Sequence, residues 1–131
     1  MTKGTTLFAL ATVLAACGGS GASVDELKSD ARSYYWVGDS FEGLDLTHSE
    51  RYNGRFSTFA YGTCEPPSGE GGCASPLEVQ NARCRSGSVN VAIFAAGDGL
   101  AARAAKALRP LNDAAREAGN PVVSFDRSLD C

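Results

Sequence analysis

The stretch Val89-Asn90-Val91-Ala92-Ile93-Phe94, followed by the segment Asp98–Gly119, decides the fold that the sequence predicts. The first is a short apolar run, which is typical of a strand buried on both faces. The second carries apolar residues at helical spacing, namely Leu100, Ala104, Leu108, Leu111 and Ala115. We therefore predict a central strand followed by a long helix that packs on a sheet through this stripe.

Signals at the ends of the predicted helix support its bounds. Asp98 is a candidate N-cap. Gly119, with Pro121 just beyond, predicts the stop. Pro110 removes a helical hydrogen bond, so we expect the helix to kink or restart there.

Shorter segments on both sides complete the predicted domain. Ser23 and Glu26 form a capping-box pattern that predicts a helix from Val24 to Arg32. The segment Phe41–Thr47 is interpreted as a loop or irregular edge. Strands are predicted at Tyr34–Val37, Phe56–Tyr61, Leu77–Asn81 and Val122–Phe125. The predicted class is α+β, with about four or five strands in one mostly antiparallel sheet and one long C-terminal helix. Parallel pairing of the strands at 89–94 and 122–125 stays open.

The N-terminus has the three parts of an export signal. Lys3 provides positive charge, and the apolar run Leu7–Leu14 is too short to cross a bilayer, which takes roughly 20 residues. Small residues follow it, as in a signal peptide. Leu14-Ala15-Ala16-Cys17 then resembles the lipobox of bacterial lipoproteins.

That resemblance implies a diacylglyceryl group on the Cys17 sulfur, cleavage before Cys17, and acylation of the new α-amine, for example by palmitate. Residues 1–16 would be the signal peptide, 17–23 a lipidated flexible tether and 24–131 a single exported domain. Two or more acyl chains anchor a protein stably, so the expected location is the extracytoplasmic face of the cell membrane. An ordinary secretory signal with a chance cysteine is the alternative.

Four cysteines follow Cys17, namely Cys64, Cys73, Cys84 and Cys131. An even number in an exported domain favours two disulfides, and four cysteines allow three pairings. We favour Cys64–Cys73, which closes a short loop rich in turn formers, with Cys84–Cys131. A zinc site that combines cysteines with His48 is the alternative, but the cysteines lack the close ligand spacing usual for zinc.

Composition and motifs exclude several function classes. The formal net charge is −3 and there is no basic run, so we expect no nucleic-acid partner. Gly97-Asp98-Gly99 lacks the further residues of a nucleotide motif, and we expect no cofactor. Asp39, Glu42, Asp45 and His48 recur every three residues but lack a calcium-loop pattern, so we expect no metal there.

His48 is the single histidine, and it lies in a polar stretch that predicts an exposed loop. No nucleophile elbow accompanies it, so no catalytic residue is assigned. A hydrolytic or metal-dependent enzyme that uses His48 and nearby acids is the alternative. It requires His48 in a cleft, within hydrogen-bond reach of an acid or nucleophile.

Three segments, at Tyr34–Thr47, Tyr61–Pro67 and Gly71–Gln80, are similar to small uncharacterised exported proteins of actinobacteria. This resemblance covers about Tyr34 to Cys84, implies export and adds support for the Cys64–Cys73 pairing. It implies no activity. The sequence thus predicts a membrane-anchored envelope lipoprotein with a non-catalytic binding or structural role, whose partner is an envelope protein or small ligand.

Overall fold

The computed structural model describes residues 21–52, 55–63, 75–84 and 86–125, which form a mostly β architecture. Its helices are short: α1 (Val24–Lys28), α2 (Asp98–Ala107) and α3 (Asp113–Ala118). Its strands are β1 (Tyr35–Trp36), β2 (Ser40–Phe41), β3 (Leu44–Tyr52), β4 (Phe56–Tyr61), β5 (Leu77–Arg83), β6 (Val89–Ala95), β7 (Arg109–Pro110) and β8 (Val122–Ser124).

Six of these strands form one sheet, in the order β2-β3-β4-β5-β6-β8. Neighbours from β2 to β6 are antiparallel, and β8 pairs with β6 in parallel. The parallel pairing that the sequence left open between these two segments is therefore present. β1 and β7 form a separate antiparallel pair.

Strand alternation gives the sheet two different faces. In β4, Ser57, Phe59 and Tyr61 are almost fully buried, as expected for residues that share one face of a strand. Phe59 stands beside Val79 of β5 in the register. Residues from all three helices belong to the same buried cluster as Phe59. We call this side of the sheet the inner face, and the side that carries Phe56, Thr58 and Ala60 the outer face.

The predicted α+β class with one long C-terminal helix is wrong. α2 ends at Ala107, and Leu108 is already extended, with φ −57° and ψ 133°. Pro110 has no N–H and disfavours helical geometry at Arg109, so these two residues pair with β1 instead. Much of the predicted apolar stripe is still buried, at Ala104 before the break and at Leu111 and Ala115 after it.

The expected number of strands is also too low, because Phe41–Thr47 is not a loop. Phe41 ends β2, and Leu44 begins the long strand β3. Between them Glu42 and Gly43 adopt positive φ angles of 47° and 82°, which turn the chain back on itself. Gly43 takes such an angle without steric cost.

The predicted caps have different outcomes. The Ser23 hydroxyl accepts a hydrogen bond from the Glu26 backbone at 3.2 Å, so the cap of α1 is confirmed. This helix ends at Lys28, earlier than expected. The prediction for α2 is wrong, because Gly97 is its N-cap and Asp98 is its first residue. There the Asp98 carboxylate lies at the positive end of the helix dipole.

A buried amide holds the helical layer together. Asn112, 4% exposed, accepts hydrogen bonds from the backbone N–H groups of Tyr34 and Ala115. It also donates to the carbonyl oxygens of Leu27, Asp30 and Arg32, at 2.6–3.3 Å. One side chain thus satisfies backbone groups that would otherwise be buried without partners.

Two further polar side chains join β1 to the large sheet. Asn81 of β5 accepts from the Tyr35 N–H at 2.8 Å and donates to the Tyr35 carbonyl at 2.9 Å, as a neighbouring strand would. The Tyr61 hydroxyl of β4 donates to the carbonyl of Gly38, two residues after β1, at 2.8 Å. These contacts fix the small sheet over the inner face, where the described helices also pack.

Candidate functional site

The histidine lies on a strand rather than in a loop, which corrects the prediction for His48. In β3, Leu46 is opposite Tyr61 and His48 is opposite Ala60, so Thr47 is an extra residue in a β-bulge. The Thr47 hydroxyl donates to the carbonyl oxygens of Ala60 and Gly62 at 3.2 and 2.9 Å, which holds the bulge in place. Bulges of this kind re-aim the side chains that follow them.

Beyond the bulge, alternate β3 residues point to the outer face. His48 Nε2 lies 3.1 Å from Glu50 Oε2, and the two side chains are 53% and 15% exposed. Tyr52 follows on the same side, and a hydrogen bond to Glu50 raises the pKa of its hydroxyl. Glu50 therefore lies beside both the imidazole and the phenol on this side of the strand.

These residues form one wall of an open groove of about 720 Å³ on the outer face. The floor is β4, with Thr58 and Ala60, and the opposite wall is β5, with Glu78 and Gln80. We call this the outer groove, and its described lining residues are Thr47, His48, Glu50, Tyr52, Thr58, Ala60, Gly62, Thr63, Ser75, Glu78 and Gln80. Neighbouring strands are about 4.8 Å apart, so the walls stand roughly 10 Å apart, which suits one extended chain or a long side chain.

The acids predicted to face water around His48 do not join it. Asp39 and Asp45 are exposed, near the start of the β2–β3 hairpin. Glu42 pairs with Arg103 of α2 through contacts of 2.8 and 3.0 Å. Across the four described ranges, no group of three or more His, Cys, Asp or Glu side chains is placed to hold a metal ion.

A second cavity, of about 460 Å³, lies where β6 leads into α2. Its lining includes Ile93, Phe94 and Phe125, together with Gly97 and Asp98. Asp98 brings a negative charge to the helix end, where an anion would otherwise be favoured. The cavity adds no catalytic group to those of the outer groove.

Of the predicted disulfide cysteines, Cys84 is the one that the structure describes, and it is buried at the end of β5. Cys64, Cys73 and Cys131 lie outside the described residues, as does the lipidation site Cys17. The disulfides and the lipid anchor therefore stay predictions. No helix in the described part of the chain has the length and apolar character needed to cross a bilayer.

The sequence analysis does not find the outer groove because it places His48 in a loop. Two signals could have revealed it. His48, Glu50 and Tyr52 alternate with Ser49 and Arg51, which is a strand period. The dipeptide at 53–54, Asn-Gly, separates this run from the β4 segment and is a strong hairpin signal.

Comparison with known proteins gives no family assignment. No protein-family model, no curated protein and no solved structure matches this chain. A functional proposal therefore rests on the residues of the outer groove and on the export signal that the N-terminal sequence predicts.

Proposed function

We propose that this chain is a lipoprotein anchored to the extracytoplasmic face of a bacterial cell membrane, where its domain binds an envelope partner through the outer groove. The lipobox-like Leu14-Ala15-Ala16-Cys17, behind a charged and apolar leader, supports the anchor. The domain acts as a binding module rather than as a catalyst.

The observation that carries the binding role is the outer groove itself. It lies on the face that no described helix covers, and its walls hold carboxylate, imidazole, amide and phenol groups. At one end Tyr52 and Phe56, opposite each other in the β3–β4 register, are 43% and 45% exposed. A concave surface with aromatic groups at its edge and orienting polar groups along its walls is typical of a binding site.

One specific observation supports the alternative function class, an enzyme that uses His48. His48 lies in a groove and within hydrogen-bond reach of Glu50, which is what the enzyme alternative requires. A carboxylate that orients an imidazole is a known arrangement for general acid–base work. Hydrolysis would also need an activated nucleophile. The Thr47 hydroxyl, next along the chain, donates instead to two backbone carbonyls.

The anchor is tested by Cys17→Ala. We expect the variant to leave the membrane fraction or to remain unprocessed, because the thiol that takes the lipid is gone. Fractionation and intact-mass measurement of the full chain report both outcomes. Normal membrane retention with full processing would contradict the anchor.

The groove is tested by placing a photocrosslinking amino acid, p-benzoylphenylalanine, at Thr58 in cells. Position Arg116, exposed on α3, is the matched control. We expect a discrete adduct from position 58 and none from position 116. Adducts from neither position, or equally from both, would contradict a binding role for this groove.

The variant His48→Ala distinguishes the enzyme alternative from the binding role. The binding role predicts that this variant folds and retains the adduct from position 58, since His48 is half exposed and sits at one wall. An enzyme would lose its activity with the imidazole while the groove still bound its ligand. A variant that keeps the adduct yet fails to restore a deletion strain would favour the enzyme.

A further inference from the structure

The charged side chains of the outer groove indicate which kind of ligand it can bind. Two carboxylates, Glu50 on β3 and Glu78 on β5, face it from opposite walls, and no Lys or Arg is among its described lining residues. Arg51, the basic residue of β3, points to the other side of the strand, where it contacts Asp30 at 2.6 Å. The basic side chain nearest to Glu50 in the chain is therefore directed away from the groove.

The two carboxylates differ because one contacts a side chain within the groove and the other does not. Glu50 contacts His48 at 3.1 Å and is 15% exposed. Glu78 is partly exposed, and no other described residue pairs with its carboxylate by hydrogen bond or ion pair. A carboxylate that faces a groove without a cation is complementary to one brought by a ligand.

The spacing of the two carboxylates fits an extended segment. Glu50 lies opposite Thr58, and Glu78 lies opposite Ala60, two residues further along β4. Two strand spacings across and two residues along place their backbones roughly 12 Å apart. This is close to the span from residue i to i+4, about 13 Å, of an extended chain that crosses the groove diagonally from one wall to the other. Two basic side chains from the same side of one strand-like segment therefore match the pair.

Resting on the proposed function, we infer that the occupant of the outer groove is an extended, lysine- or arginine-bearing segment of a partner protein. Tyr52 and Phe56 supply apolar surface against which the aliphatic part of a long basic side chain packs. Tyr52 also offers a ring face to a cation. The net charge of −3 on the whole chain attracts such a partner at long range.

The test uses the full mature protein, purified from membranes in a neutral detergent, and a fluorescent peptide of alternating Gly and Lys. Matched peptides carry Glu or Gln in place of Lys. We expect saturable binding of the Lys peptide by anisotropy, weakened by added salt, and no saturation with the other two. Equal binding of all three peptides, or saturable binding of a neutral oligosaccharide with none of the Lys peptide, would overturn the inference.

Charge-removing variants locate the binding. The double variant Glu50→Gln with Glu78→Gln should weaken binding of the Lys peptide at least tenfold, while Glu117→Gln, on the exposed side of α3, should leave it unchanged. Thermal unfolding of each variant checks the fold, and Glu78→Gln alone serves if the double variant is unstable. Unchanged binding in a folded variant would overturn the inference.

The same variants separate this inference from the proposed function. If the adduct from position 58 persists in the double variant, the groove binds a partner but recognises something other than basic residues. If position 58 gives no adduct even in the parent chain, the binding role of the groove fails as well.

Discussion

The two faces of the strands β3 to β5 differ in what their side chains do. On the inner face, Phe59 and Val79 are fully buried in the same cluster as residues of the helices. On the outer face, one residue away along each strand, Thr58 and Gln80 line an open groove. Because strand side chains alternate, one segment of sequence can specify a core and a binding surface at once. The comparison implies that the stability of this protein and its proposed binding can be changed separately.

The largest expected effect comes from truncation on the inner face. Phe59→Ala should lower the free energy of unfolding by about 3–5 kcal/mol, because a large cavity replaces a fully buried ring. Phe56→Ala, in the same strand but 45% exposed on the outer face, should cost about 1 kcal/mol or less. Urea unfolding of both variants measures the difference, and similar costs would show that the two faces are not distinct.

The next effect comes from the buried amide that joins the helices. Asn112→Ala removes the partner of two N–H groups and three carbonyl groups, and should cost about 2 kcal/mol or more. Asn120→Ala is the control, since Asn120 is exposed and should shift stability by no more than about 0.5 kcal/mol. An Asn112→Ala protein as stable as its control would mean that these hydrogen bonds do not hold the layer.

The stability of the protein at alkaline pH depends on Tyr61, which is buried on the inner face. Burial raises the pKa of this hydroxyl from 10.0 to about 12, more than the Val37 N–H and Arg109 lower it. The folded protein holds the proton more tightly than the unfolded chain, so this contribution is complete below pH 10 and is lost as the pH rises towards 12. The free energy of unfolding of Tyr61→Phe should therefore fall less steeply over that window. Some decline should remain, because burial also raises the pKa values of Tyr34 and Tyr35. Unfolding curves at a series of pH values test this, and identical slopes in the two proteins would contradict it.

The smallest effect on stability is expected on the outer face. Glu78→Gln should change the free energy of unfolding by no more than about 0.5 kcal/mol, because the substitution keeps the shape of a partly exposed side chain. His48→Ala should be similarly mild. A loss of several kcal/mol in either variant would mean that the groove contributes to the stability of the fold. The two faces would then not have separate roles.

How much the sequence predicts depends on whether a signal is local. Strand β4 and its two faces follow from the alternation in Phe56–Tyr61, and the cap of α1 follows from Ser23 and Glu26. These features depend on residues within a few positions of each other. The alternation alone does not say which face helices will cover.

The features that the sequence does not predict depend on contacts between residues that are far apart in the chain. Pro110 predicts an interruption of the helix, but the sequence does not predict that the chain becomes a strand there. That outcome depends on β1, which pairs with Arg109, and on Tyr34, whose carbonyl accepts a hydrogen bond from the Leu111 N–H. Asn112 and Asn81 look like ordinary polar residues until the backbone groups that they satisfy are known. The outer groove is different, because the pairing of β3 with β4 follows from local signals, the strand period of residues 48–52 and the Asn-Gly dipeptide at 53–54, which the loop interpretation overlooks.

The separation of the faces is tested most directly by methyl NMR of the full mature protein during titration with the Gly-Lys peptide. The account predicts that the methyl signals of Thr58 and Ala60, on the outer face, shift progressively and saturate. Those of Val79 and Val91, fully buried on the inner face, should stay in place. Shifts confined to the inner-face methyls, equal shifts on both faces, or none on either face would contradict the claim that one side of this sheet folds the protein and the other binds its partner.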